Sequence, residues 1–350
     1  MNAMVLMGHG GLEQLVWHDD WPTPQPAEGE VLIRVRACGL NNTDINTRTA
    51  WYSKGTAEAT TGEVLDGVRD DDGTWGGKPI HFPRIQGADV VGDVVVGPAE
   101  LTGKRIMIDT WLRDWKEPMN RDRMGYYGSE IDGGFAEYTT IDARQVHVID
   151  SDLSDAELAT FATAFVTAEN MLSRAEVSAD DTVLVTGASG GVGTALIQLA
   201  KRRGASVIAL AAEAKHVALK NVGADLVLPR APTDLAHSLA NECVTVIADV
   251  VGGSQWPALI DVLQRGGRYT VAGAIAGPIV KMDLRTLYLR DLTFTGATTV
   301  PPGMFAEIIG YIENESIKPM LAATYPLREL HEAQNDFVSK RHVGSIVVTP

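Results

Sequence analysis

Residues 182–210 read TVLVTGASGGVGTALIQLAKRRGASVIAL, and this stretch decides the fold class. An apolar run, TVLV, leads to Gly187, a helix-forming run begins at Gly191, and a second apolar run, SVIAL, follows Gly204. Strand, turn, helix and strand in that order make a βαβ unit. Gly187, Gly190 and Gly193 open the helix, with Ser189, Gly191 and Val192 among them. Small residues let the backbone approach a pyrophosphate, whose charge is met by amides at the helix N-terminus. A glycine triplet alone is weak evidence, because a tight βα turn that binds nothing also favours glycine. The strand before it and the helix after it make the signal specific.

The end of the second strand reports on the nucleotide. NAD sites put Asp or Glu there to bind the ribose hydroxyls, whereas NADP sites offer a cation. Here the strand ends on Ala211 and Ala212, Lys215 follows, and Arg230 lies just past the next apolar run. That combination favours NADPH over NADH. Glu213 argues the other way, and Lys215 and Arg230 also fit an exposed helix lysine and a solvated loop residue.

Outward from this unit the alternation continues. EAKHVALKNVG, DLVLP, DLAHSLANE, VTVIADVVG, WPALIDVLQRGG, RYTVAG and LTFTGAT follow in turn, which indicates a parallel, doubly wound sheet. Before it, SDLSDAELATF carries a capping-box pattern at Ser154 and Glu157. The first 150 residues read differently. EVLIRVRACGL alternates like a half-buried strand, and DVVGDVVVG, KRIMIDTW, GGFAEYTTID and QVHVID are short β-rich runs broken by Gly or Pro. They predict a partly closed, barrel-like domain. A last helix, MFAEIIGYIENE, and a final strand, GSIVVTP, are expected to return to that first domain. No internal repeat of 20–50 residues is visible.

Composition narrows the function. The 350 residues include 30 Lys+Arg and 45 Asp+Glu, a net charge of −15. Residues 1–150 hold 24 acids and 14 bases, net −10, and the remainder is net −5. An acidic surface repels phosphate backbones and anionic lipid, so neither nucleic acid nor membrane is an expected partner. The two cysteines, Cys38 and Cys243, exclude a disulfide framework or a four-thiolate metal site, and both read as buried small residues. The N-terminus has no secretory pattern and no run is long and apolar enough to span a bilayer, so the expected compartment is the cytoplasm. The acidic segment 56–74 reads as a solvated surface loop. A calcium site from Asp70, Asp71 and Asp72 lacks the ordered ligand spacing that calcium loops have.

Several motifs now fall in a recognisable order: ACGLNNTD near residue 40, IQGADVVGDVV near 87, GGFAEY at 133–138, the 187–193 turn, DVVGG at 249–253, QRGGRYTVAG at 264–273 and a C-terminal GSIVV. In this order they resemble the medium-chain dehydrogenase/reductase superfamily over nearly the full chain. The resemblance implies an α/β protein: a GroES-like catalytic domain formed by 1–150 and 303–350, and a Rossmann NADP-binding domain, 151–302, inserted between them. It adds Val250, Gly273 and Ala274 to the cofactor site, and it implies a homodimer paired through the edge strand LTFTGATT.

The resemblance also bears on zinc. Zinc-dependent members place a Cys where this chain has Asn41 and a His where it has Ala88, beside an acidic residue that corresponds to Asp89. The cysteine-rich structural zinc lobe is missing, and a substitute site from Asp44, Asp89 and His81 would not match the pattern. Asn41 is instead similar to the zinc-free quinone oxidoreductases and enoyl-thioester reductases, whose Asn-x-x-Asp is followed eight residues after the Asp by a Tyr, here Tyr52. That branch implies a substrate-pocket role for Tyr52 and a contact between Thr167 and the nicotinamide. Two features depart from the branch: the long 53–82 segment, and Ala50 where Gly is common.

The expected activity is therefore zinc-independent, NADPH-dependent reduction of a small molecule, a quinone or a carbonyl-conjugated alkene. Asn41 and Tyr52 would donate hydrogen bonds to the oxygen that becomes negative. Other roles stand beside these: Asn41 bracing a turn, Tyr52 forming a pocket wall, Asp44 capping local amides, and Tyr126 or Tyr127 entering the cleft. A non-catalytic, crystallin-like NADPH-binding protein and a zinc-free alcohol dehydrogenase are the alternative readings.

Overall fold

The computed structural model describes residues 1–63, 73–76, 79–239 and 243–350. Asp70, Asp71 and Asp72, the weighed calcium ligands, lie outside the described residues. The chain separates into two compact units. The first comprises Met1–Thr56, Thr60–Thr163 and Pro301–Pro350, and the second Ala57–Ala59 and Ala164–Val300. The capping-box segment, expected to begin the nucleotide domain at 151, thus groups with the first unit. Its box is formed: Ser154 N–H donates to Glu157 Oε2 at 2.9 Å, and Glu157 N–H to Ser154 Oγ at 3.3 Å. The helix it starts is short, Asp155–Leu158, and a longer one follows at Ala162–Arg174.

The first unit is built on the strand Glu30–Gly39. It pairs antiparallel with Asp89–Val96, with Tyr138–Asp142 and, near its end, with Ser345–Thr349. The alternation read from the sequence holds in its middle: Arg34 and Arg36 are exposed and both reach Asp93, while Ile33 and Val35 are buried. Toward Cys38 and Gly39 the strand is buried on both faces. A Cβ on Gly39 would lie 2.3 Å from the Ala159 carbonyl oxygen, so the backbone of 155–159 packs directly on the strand end. Ile33, Val90, Phe135 and Ile346 belong to the core beneath. Each such side chain contributes roughly 1.5–3 kcal/mol by burial. Chain turns that carry polar groups are thereby anchored at the strand's end.

The second unit is a six-stranded, fully parallel sheet. Its spatial order is Leu226–Pro229, Ser206–Ala211, Thr182–Val185, Val244–Asp249, Leu263–Val271 and Thr293–Gly296. In order of appearance this is 3-2-1-4-5-6, the doubly wound arrangement whose ligand crevice lies where strands 1 and 4 adjoin. The run WPALIDVLQRGG divides at Val262: the helix is Trp256–Val262, and Leu263 already begins the fifth strand. Thr293–Gly296 is the sheet's edge. Cys243 departs from expectation. It is exposed, because it precedes the rim end of Val244–Asp249, and its thiol donates to Gln264 Oε1 at 2.8 Å. Among the described residues no helix is long and apolar enough to cross a membrane.

Candidate functional site

In the second unit, Gly187 follows the first strand at φ +55°, and a Cβ there would meet Val250 Cγ2 at 2.8 Å. A Cβ on Gly193 would lie 2.3 Å from the Gly187 carbonyl oxygen. Gly190 has open space in front of it, its nearest neighbour being the Gly187 oxygen at 3.7 Å. Two glycines thus close the turn on itself and one leaves a gap, which is the shape a pyrophosphate needs beside the N-terminus of Gly191–Arg202. The amides of that first turn have no partner within the helix.

The same crevice gathers the fourth and fifth strands. Asp249, fully buried, accepts from Thr186 Oγ1, from Tyr269 Oη at 2.7 Å and from the Val251 N–H at 2.8 Å. The Val250 N–H donates to Thr186 Oγ1 at 3.1 Å. These bonds hold Val250 against Gly187. Gly273 lies alongside, where a Cβ would sit a tight 3.1 Å from the Val250 oxygen, and Ala274 packs under Gly252. At the end of the second strand, Lys215 Nζ donates to Ser189 Oγ at 2.9 Å. Burial and then the charge of Arg230 push the Lys215 pKa below its usual value, so two cations converge beside the turn. Glu213 is exposed.

In the first unit, Asn41 starts the helix Asn42–Arg48 directly after the long strand. Its N–H donates to Asp44 Oδ2 at 2.7 Å, so Asp44 does cap local amides. The Asn41 side-chain nitrogen is buried, and the Asn41 side chain faces the Asp89 carboxyl, whose pKa it helps to hold down against burial. Tyr52 returns over this helix, and its hydroxyl donates to Thr43 Oγ1 at 3.4 Å. Burial raises the Tyr52 pKa, so the phenol keeps its proton at neutral pH. Asp89 accepts from both the N–H and the Oγ1 of Thr163, and Tyr126 Oη shares a hydrogen bond with Thr163 Oγ1 at 2.7 Å. Burial lifts the Asp44 carboxyl to about 7 and the Asp89 carboxyl to about 6; hydrogen bonds oppose it in both cases. The Cys38 thiol is pushed well up by burial, then by Asp44 and Asp89.

This cluster was only partly legible. Asp89, Tyr126 and Thr163 are far apart in sequence and no spacing rule joins them. Tyr127 is not at the cluster; it is wholly buried in the core and bonded to Thr139. His81 is exposed, and among the described residues no three His, Cys, Asp or Glu side chains converge as a metal would require. Thr167, in the second unit, is half-buried in the largely buried helix Ala162–Arg174, whose Ser173 is exposed. The Asp249–Thr186–Tyr269 brace also escaped the sequence reading; an acid closing a strand beside a Gly-Gly pair was its one local sign.

Two family models match the chain: the alcohol dehydrogenase GroES-like domain over residues 27–151 and the zinc-binding dehydrogenase domain over 191–314. A solved structure from Sinorhizobium meliloti 1021, a "putative alcohol dehydrogenase", is 43% identical with a TM-score of 0.90, covering 100% of this chain and 96% of that one. The acryloyl-coenzyme A reductase of Metallosphaera sedula is 26% identical over 100% of both chains. The quinone oxidoreductase of Lama guanicoe is 25% identical over 99% of this chain and 97% of its own. The chain belongs to the medium-chain dehydrogenase/reductase superfamily, on its quinone oxidoreductase-like side, and so to the NAD(P)H-dependent oxidoreductases.

Proposed function

We propose that the protein is a zinc-independent, NADPH-dependent reductase of a carbonyl-conjugated alkene or a quinone. The donor set around Asn41 carries this reading. It offers a buried side-chain amide beside the Asp89 carboxyl, and a phenol that keeps its proton. Catalytic zinc sites usually combine three protein ligands drawn from Cys, His and carboxylates. Here Asn41 and Ala88 stand where zinc-dependent members have Cys and His.

The bound nicotinamide would supply the hydride. Addition at the β-carbon of an enone leaves charge on its oxygen, and the Asn41 N–H and Tyr52 O–H are donors suited to that oxygen. Tyr52 also holds a proton that can complete the reduction. Thr167 would contact the nicotinamide. Gly187, Ser189, Gly190, Gly191, Val192 and Gly193 would hold the pyrophosphate, Lys215 and Arg230 the 2′-phosphate, and Val250, Gly273 and Ala274 the crevice wall. The acryloyl-coenzyme A reductase relative supports an activated alkene as substrate. The unpaired edge Thr293–Gly296, close in sequence to exposed Ile279, Leu284, Tyr288 and Leu289, supports a homodimer, which light scattering would register as twice the chain mass.

The test is NADPH oxidation with a panel of quinones, alkenals and enoyl thioesters. Turnover is expected with at least one class, and Tyr52→Phe should lower it at least about tenfold. An unchanged rate removes Tyr52 from the chemistry, and tight NADPH binding without any turnover contradicts the enzyme reading. A zinc-free alcohol dehydrogenase is the second reading, favoured by the name of the Sinorhizobium structure. Faster NADP-linked alcohol oxidation than alkene reduction would select it.

A further inference from the structure

The first unit contains a second cleft, of about 330 Å3, lined by the turn at Gly11 and Leu12, by residues 61–63 and by one face of the helix Leu330–Ser339. Arg48 lies at its inner wall with 1% of its surface exposed. Its Nε donates to Gln334 Oε1 at 3.1 Å, and its two terminal nitrogens donate to the Gly10 oxygen at 2.8 Å and the Gly62 oxygen at 3.2 Å. All three acceptors are neutral. Arg48 forms no ion pair among the described residues.

A buried guanidinium without a carboxylate is costly. Burial lowers the Arg48 pKa to about 10, which leaves it charged at neutral pH; Glu13 opposes the shift from an exposed position. Three of the five guanidinium N–H groups are used, so two remain. Gln334 adds a second unmet demand. It is 1% exposed, its oxygen is taken by Arg48, and its side-chain nitrogen has no partner.

These donors line one cleft, and together they match a planar carboxylate, which accepts paired N–H groups from a guanidinium and one more from an amide. Leu12 and Val338 line the same cleft and suit a short apolar tail. Glu63 at the wall and Glu13 nearby disfavour a second negative charge. We propose that this cleft binds a compact monocarboxylate, with its carboxylate on Arg48 and Gln334 and its tail against Leu12 and Val338. None of these residues belongs to the proposed reductase site, so the two readings stand or fall separately.

Titration calorimetry of the full chain with butyrate tests the site, with butyramide and succinate for comparison. Butyrate is expected to bind saturably with Kd on the order of 1 mM, and both comparators at least about tenfold more weakly. Gln334→Glu sets a built-in carboxylate against Arg48 and should lower butyrate affinity at least about tenfold while leaving NADPH oxidation unchanged. Val338→Trp, at a half-buried helix position, fills the cleft without removing an Arg48 partner and should give the same loss. The proposal is overturned if butyrate shows no saturation up to about 20 mM, if butyramide matches it, or if the folded variants bind butyrate as the parent does.

Discussion

The two units build their sites by opposite means. The 187–193 turn is made of backbone: its shape depends on the absence of side chains, with distances of 2.3 to 2.8 Å where a Cβ would intrude at Gly193 and Gly187. The cluster around Asn41 is made of side chains from four separate segments, holding two buried carboxyls that have risen toward neutrality. A backbone site tolerates little substitution but is indifferent to pH. A side-chain site of buried acids tolerates isosteric exchange and responds to pH. The first suits an invariant phosphate group, and the second suits a reacting oxygen that must be met by donors and protons.

The largest expected effect tests the rigid side of this contrast. Gly193→Val should weaken NADPH binding about 100-fold, read by nucleotide fluorescence, with the fold intact by circular dichroism. Binding close to that of the parent would mean that the turn is not the phosphate cradle. Lys215→Ala should cost about tenfold in NADPH affinity and leave NADH binding unchanged; equal losses for both nucleotides would detach Lys215 from the 2′-phosphate.

The side-chain site should show itself through pH. Because the folded-state pKa values of Asp44 and Asp89 are raised, their contribution to stability is fully present below the ordinary carboxylate range near about 4 and is lost as pH rises through about 6 to 7. The fall in Tm between about pH 5 and 8 should therefore be smaller in Asp44→Asn than in the parent. Equal slopes would show that Asp44 does not titrate in that window. The smallest effect belongs to Ala50, which adopts φ +53° where the related branch commonly has Gly. Ala50→Gly should raise stability by at most about 1 kcal/mol, since relief of the left-handed strain is partly offset by unfolded-state entropy.

This contrast also explains what the sequence made legible. The nucleotide unit could be read because backbone demands are local: Gly187 must come after its strand and Gly193 at its helix. Lys215 was read from the end of the second strand, whereas its contact with Ser189, across two loops, shows only in the fold. In the first unit, Asn41, Asp44, Tyr52 and Asp89 were visible through the family resemblance and Tyr126 as a residue that could enter the cleft, but their meeting was not. Thr163, Asp89 and Tyr126 meet only because the strand Asp89–Val96 packs beside Glu30–Gly39 and brings distant segments together. Arg48 gave no sign at all, since an arginine ending a short helix ordinarily faces water. Cys243 was misread for the reverse reason: its residue type is usually buried, and its place at the rim of a strand is not.

The central claim is that hydride transfer here runs on Asn41 and Tyr52 without zinc. Its most direct test is NADPH-dependent reduction of an active alkenal or enoyl thioester before and after exhaustive dialysis against a chelator, with metal content measured alongside. An unchanged rate in metal-free protein, lowered by Tyr52→Phe, is the predicted result. Loss of turnover on chelation that added zinc restores would contradict the account.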